Sequence, residues 1–166
     1  MNTVIRHLYT HLTISFDMLM DEIDHCPDDL WNTEAGGFVF FQQVYHTVMG
    51  MLFWTRTEKT IPFEDPFKER NLYPEFERKP HGSISKEEMK NLGERLRGLL
   101  EKFFAEKDDA WLLLPNALFD KILNMDVILA QIRHIQYHAG HCDSILRERN
   151  LKVPEYRDYF GDEPSA

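Results

Sequence analysis

The sequence predicts an all-α protein, a four-helix bundle with a long, Pro-containing crossover between helices two and three. Three observations carry that expectation. Apolar residues recur at spacings of three and four in four separate stretches, where strand alternation does not fit. None of the prolines falls inside those stretches, and four of them, Pro62, Pro66, Pro74 and Pro80, gather between the second and the third. A length of 166 residues suits one domain, 1–166, with a continuous core.

The first helix is expected over 3–24, with Ile5, Leu8, Leu12, Leu19 and Ile23 on one face and His7, His11, Ile14 and Met18 on a neighbouring stripe. Cys26-Pro27 breaks it. The second is expected over 34–55, where Phe38, Phe41, Tyr45, Val48, Leu52 and Phe53 face the core and Gly36-Gly37 blurs the start. The crossover, 56–83, carries Phe63, Phe67, Tyr73 and Phe76, aromatics that need burial, so it reads as an ordered segment packed over the helices.

Ser85 opens the third helix, because Glu88 three residues later completes a capping-box pattern. It should run to 106 and bury Met89, Leu92, Leu96, Leu99, Leu100 and Phe103. An apolar connection, 111–119, follows around Pro115. The fourth helix is expected over 124–149 on the apolar contacts of Val127, Ile128, Ile132, Ile135, Ile145 and Leu146, with Asn150 and Pro154 marking its end. The tail, 152–166, brings Tyr156, Tyr159 and Phe160, which are expected to pack on the bundle or on a partner subunit.

Lys and Arg total 19 against 28 Asp and Glu, a formal charge of −9. No basic stripe with interleaved aromatics is present, so no nucleic-acid partner is expected. No uncharged apolar run approaches the roughly eighteen residues of a membrane span, so no membrane partner is expected either. The N-terminal MNTVIRHLYTHL lacks signal-peptide character, and two cysteines, Cys26 and Cys142, make neither a zinc cage nor a disulfide framework. The expected location is cytoplasmic.

The sharpest chemical signal is QIRHIQYHAGHCDSILRERN in the fourth helix. His134 and His138 stand one turn apart on one face, the spacing of a chelating pair, and His141 projects within about 20° of His134 at roughly 100° per residue. Val127 and Ile145 share that arc, so it points inward. Imidazoles in an apolar core leave polar nitrogens that cost about 1–3 kcal/mol each if unsatisfied, and metal coordination satisfies them. One helix supplies two neighbouring ligands. A third must come from a facing helix, and His46, beside the apolar stripe of the second, is the candidate. Three neutral imidazoles suit Zn2+ or Ni2+ better than Mg2+ or Ca2+, and three protein ligands leave a position for water or substrate. Tyr45, Gln42 and Gln131 are candidate hydrogen-bond partners for the remaining imidazole nitrogens.

His46, taken with His134-Ile-Gln-Tyr-His138-Ala-Gly-His141 and Ser144-Ile-Leu-Arg147, resembles the DinB/YfiT-like superfamily of metal-binding four-helix bundles over nearly the whole chain. The resemblance implies that His46, His134 and His138 bind a divalent ion, commonly nickel or zinc. His138 and Gly140 fit the pattern of the last helix in that family, whereas Ala139 and His141 depart from it. His141 is therefore expected as an additional ligand, or as a hydrogen-bonding or proton-transfer group behind the ligands.

What the resemblance implies about activity is a divalent-metal enzyme that activates a low-molecular-weight thiol as cosubstrate for transfer to a small electrophilic substrate. Two alternatives stand beside it: a metal-dependent hydrolase in which His141 moves a proton, and a non-catalytic metal-binding stress or interaction protein. A homodimer is the expected assembly. His7 and His11 also have chelate spacing, and are read as a polar face or entry-channel pair in preference to ligands. His25 and His81 carry no chemical reading, Cys142 is expected to pack in the core, and Asp143 and Glu148 are expected to face solvent.

Overall fold

A stripe repeating every three to four residues must bury one helix face, and the computed structural model, which describes residues 2–159, shows where each face goes. The chain is mostly helical. In order it forms α1, Thr3–His25; a single turn α2, Asp28–Trp31; a strand pair β1, Glu34–Ala35, and β2, Phe38–Val39; and α3, Phe40–Trp54. A 3-10 turn at Lys68–Arg70 lies in the crossover, followed by α4, Lys86–Ala105, a short α5, Asp109–Leu112, and α6, Asn124–Glu148. Helix α1 packs on α6 and α4, and α3 packs on α6 and α4.

Ile5, Leu12, Phe16, Leu19 and Ile23 of α1 are buried together with Phe40, Phe41, Val44 and Val48 of α3 and Ile135, Ile145 and Leu146 of α6. Each such side chain contributes roughly 1.5–3 kcal/mol relative to exposure. In α4 the buried row is Met89, Leu92, Leu96, Leu100 and Phe104. Leu99, expected inside, is exposed, and Phe103 is half-buried, because the four-residue row through Leu96, Leu100 and Phe104 faces the core and places Leu99 to one side.

The N-termini of α1, α4, α5 and α6 are satisfied by side chains. Asp109, distant in sequence, accepts from the backbone N–H groups of Val4 (3.2 Å) and Ile5 (2.8 Å), placing a carboxylate at the positive end of α1. Ser85 and Glu88 form the expected capping box at α4. Asp126 accepts from Leu123 N–H at α6, and Asp108 caps α5 through Trp111 N–H.

The second long helix starts later than expected. Gly36 and Gly37 both have positive φ (63° and 91°) and form the two-residue turn of a hairpin pairing Glu34 with Val39 and Ala35 with Phe38. Such a turn needs left-handed residues at both central positions, which glycine adopts without strain, so 34–39 folds back instead of joining α3. The apolar connection after α4 likewise contains a turn of helix, α5, and is tied down by Asn116 and Asn124, whose side chains bond each other at 3.1 Å.

The crossover packs on the helices, but its expected aromatics are only partly covered: Phe67, Tyr73 and Phe76 are half-buried and Phe63 is exposed. Leu72 is fully buried, Trp31 Nε1–H donates to Ile84 O at 2.7 Å, and the Tyr45 hydroxyl donates to Asp65. Asn71 and Tyr73 adopt positive φ (55° and 48°), a conformation that costs non-glycine residues about 1 kcal/mol or more each.

The tail crosses α1: Arg157 pairs with Asp17 and Asp21, and the Tyr159 ring lies against His7 and His11. Pro154 is buried, whereas Tyr156 is exposed. Phe160 and the remaining residues to Ala166 lie outside the described residues. No described helix is long and apolar enough to cross a membrane.

Asp143 does not simply face solvent. It is half-buried opposite Glu22 of α1, which is almost wholly buried; burial, and then the Asp143 carboxylate, push the Glu22 carboxyl up to about 9. Cys142 packs in the core as expected, and burial raises its thiol well above the usual range; Cys26, also buried, is pushed up to about 12.

Candidate metal centre

Helices α3 and α6 pack so that His46 from one meets His134 and His138 from the other. Each of the three can offer a nitrogen, and those nitrogens lie within 4.8 Å of one another. The ring centroids form a near-equilateral triangle with sides of 4.9, 4.8 and 4.7 Å. His46 Nε2 and His134 Nε2 are 2.9 Å apart. Bonds of about 2.0–2.1 Å to an ion at angles of about 90–110° place two nitrogens about 2.9–3.4 Å apart, so this edge of the triangle already has ligand geometry.

The outer nitrogens define the tautomers. His46 Nδ1 lies 2.7 Å from the carbonyl oxygen of Pro74, and His138 Nδ1 lies 2.6 Å from Gln43 Oε1. Both oxygens accept, so both Nδ1 atoms carry the proton and both Nε2 atoms present a lone pair toward the cluster. Burial lowers all three imidazoles in pKa, with the neighbouring histidines adding to the effect at two of them: His46 downward, His134 to about 4, His138 to about 3. At neutral pH the rings are uncharged, the state a metal requires. On donor type, on the tautomers of His46 and His138, and on spacing at the His46–His134 edge, the residues fit a borderline divalent ion.

Two neighbours shape the cluster. Phe76, from the crossover, lies tilted against His46 and His138, with ring centroids 4.4 Å and 5.4 Å away and interplanar angles of 34° and 33°. Gly50, four residues after His46 in α3, gives His134 its space, since a Cβ there would sit 3.1 Å from His134 Cε1. Gln131 Oε1 lies beside the same glycine, buried and without a hydrogen-bond partner among the described residues.

His141 is not among the clustered nitrogens. Its ring lies against Phe38 (6.0 Å between centroids), and its Nε2 is the atom a Cβ on Gly36 would approach to 2.6 Å. His7 and His11 are likewise outside the cluster, on the tail-facing side of α1. The expected partners of the outer nitrogens are redistributed. Tyr45 engages Asp65, Gln42 engages crossover carbonyls, and Gln43 and the Pro74 carbonyl take the imidazoles. Gln43 carried a legible signal, since it lies three residues before His46 in an otherwise apolar stretch, FFQQVYHTV. The Pro74 carbonyl and Phe76 had none, because their approach depends on how the crossover folds.

Fold and cluster together define the class: a mostly helical chain in which three histidines, one buried and two half-buried, stand close enough that they could hold a metal ion. Neither the known protein-family models, nor the curated proteins, nor the solved structures contain a match to this chain.

Proposed function

We propose that the chain is a DinB/YfiT-like four-helix bundle in which His46, His134 and His138 hold Ni2+ or Zn2+, and that it transfers a low-molecular-weight thiol to a small electrophile. The observation that supports this reading above the others is the convergence of three imidazoles from two helices, two with Nδ1 tied to an acceptor and Nε2 turned inward. An ion held there supplies Lewis-acid chemistry that favours the anionic form of a bound thiol. The chain's own contribution is positional. Pro74 O and Gln43 Oε1 fix two rings, Gly50 lets the third approach, and Phe76 keeps water from the faces of His46 and His138. Three protein ligands, in place of the four of a closed structural site, leave room for an exchangeable one.

The test is metal quantification on untagged protein beside His46→Ala, His134→Ala and His138→Ala, followed by a panel of thiols with model electrophiles. Near-stoichiometric metal that is lost in each variant while the helical spectrum persists, with metal-dependent thiol consumption, is the expected result. Unchanged binding in any variant removes that residue from the ligand set. Turnover of ester or amide substrates without thiol assigns hydrolysis instead, and metal binding without any turnover assigns a non-catalytic role.

A further inference from the structure

Gln42 and Gln43 are consecutive, so their side chains leave α3 about 100° apart and serve different partners. Gln43 reaches His138. Gln42, also almost wholly buried, turns to the crossover, where its Nε2 lies 2.9 Å from Tyr73 O, 3.2 Å from Glu75 O and 2.9 Å from Arg78 O. An amide nitrogen has two hydrogens, so three carbonyls share two donors. The backbone of 73–78 is thus wrapped around one side chain. The two residues of this segment that touch the histidines, Pro74 through its carbonyl and Phe76 through its ring, lie between the carbonyls that Gln42 gathers.

The same stretch is entered through two non-glycine residues with left-handed backbone, Asn71 and Tyr73. Backbone held in that region relaxes toward ordinary φ unless other contacts fix it. Other ties of 73–78 are exposed or are ring contacts: Arg78 over the Tyr73 ring at 3.5 Å, Arg78 with Glu75, the Tyr73 hydroxyl with Asn71, the Tyr73 ring against His81, and Phe76 against Phe38 at 4.4 Å.

We infer that Gln42 is a positioning residue for the three-histidine cluster: by gathering the carbonyls of 73–78 it holds that segment as a roof that orients His46 and covers His46 and His138. It touches no imidazole. The consequence for metal affinity rests on the metal reading given above; the consequence for the rings of the metal-free protein does not. Removing the donor frees the Pro74 carbonyl from His46 Nδ1, so the His46 tautomer is no longer fixed and Phe76 no longer lies against the rings.

The experiment compares wild type with Gln42→Leu, which keeps the volume and loses the donor, and with Phe76→Ala, a half-buried site where truncation leaves α3 intact. Trp31→Phe serves as the control, since it removes a different buried side-chain bond to a backbone carbonyl ahead of α4, Ile84 O. In metal-free protein, 15N NMR of the imidazoles reads the His46 tautomer. Titration with Co2+ alone reads affinity and the ligand-field spectrum.

In Gln42→Leu the His46 signals should move from the pure Nδ1–H form toward a mixture, Co2+ affinity should fall about tenfold or more, and the visible spectrum should shift. Phe76→Ala should shift the His46 and His138 ring signals while retaining the His46 tautomer, and Trp31→Phe should lower stability and move neither readout. His46 signals in Gln42→Leu identical to wild type overturn the inference. Should Gln42→Leu fail to fold, unchanged His46 and His138 signals in Phe76→Ala overturn the roof. Absence of Co2+ binding in wild type overturns the metal reading and leaves the tautomer result to decide the role of Gln42.

Discussion

His138 Nδ1 and Gln43 Oε1 meet at 2.6 Å across 95 residues of chain, joining α6 to α3 in a buried hydrogen bond. The bond does two things at once: it satisfies a polar nitrogen in the core, and it turns the other nitrogen of the ring toward His46 and His134.

Gln43→Leu removes that acceptor at nearly constant volume. The His138 tautomer is then unrestrained, and affinity for Zn2+ should fall about 10- to 100-fold. Competition against a chromophoric chelator measures it; affinity equal to wild type shows that Gln43 does not orient the ring.

Gly50→Ala sets two effects against each other. Alanine in a helix interior favours folding by about 1 kcal/mol over glycine, but its Cβ arrives 3.1 Å from His134 Cε1 and pushes the ring aside. Stability should change by less than about 1 kcal/mol in urea unfolding while metal affinity drops. A variant that binds metal as wild type does would show that His134 has slack at this contact.

The Glu22 carboxyl gives a pH dependence with a definite sign. Unfolded, it titrates near 4.5; in the fold, burial and the facing Asp143 raise it to about 9. Between those values the folded state holds a proton that the unfolded state has released. Its contribution is complete below about pH 4.5, declines with a slope of up to about 1.4 kcal/mol per pH unit, and is lost by about pH 9. The histidines act oppositely, because their lowered values make stability rise toward neutral pH. The difference between wild type and Glu22→Gln isolates the carboxyl: the glutamine variant should gain relative stability steadily from about pH 5 to about pH 8 by denaturant unfolding. A constant difference across that range would place Glu22 in its ordinary carboxyl range.

Ser85→Ala removes half of the capping box at α4. The loss should be about 1 kcal/mol, or about 2–4 °C in Tm for a chain of this size. Glu88→Gln, which can keep the reciprocal bond, should lose less in the same thermal melts.

Much of the molecule was legible in the chain because helices announce themselves locally. The four long helices and the Ser85 start follow from spacing and capping chemistry, which depend on neighbours within a turn or two. The start of α3 did not follow, since an apolar run through Phe38 suits either a helix or a hairpin, and the choice fell to Gly36 and Gly37 with positive φ. Leu99 was misplaced for a related reason. An apolar stripe specifies a face but not which of two adjacent rows meets the neighbouring helix, and packing selected Leu96, Leu100 and Phe104.

The sequence alone determined the helical class and the chemical type of the candidate ligands, because three- and four-residue periodicity and the i, i+4 histidine pair are properties of one helix. Tertiary structure decided everything requiring two segments: the approach of His46 to His134, the pairing of His138 with Gln43, the Pro74 carbonyl on His46, and the burial of Glu22 against Asp143. Periodicity fixes an angle about a single axis. How far one axis lies from another, and which crossover covers the gap, is set only when side chains from distant parts of the chain pack together.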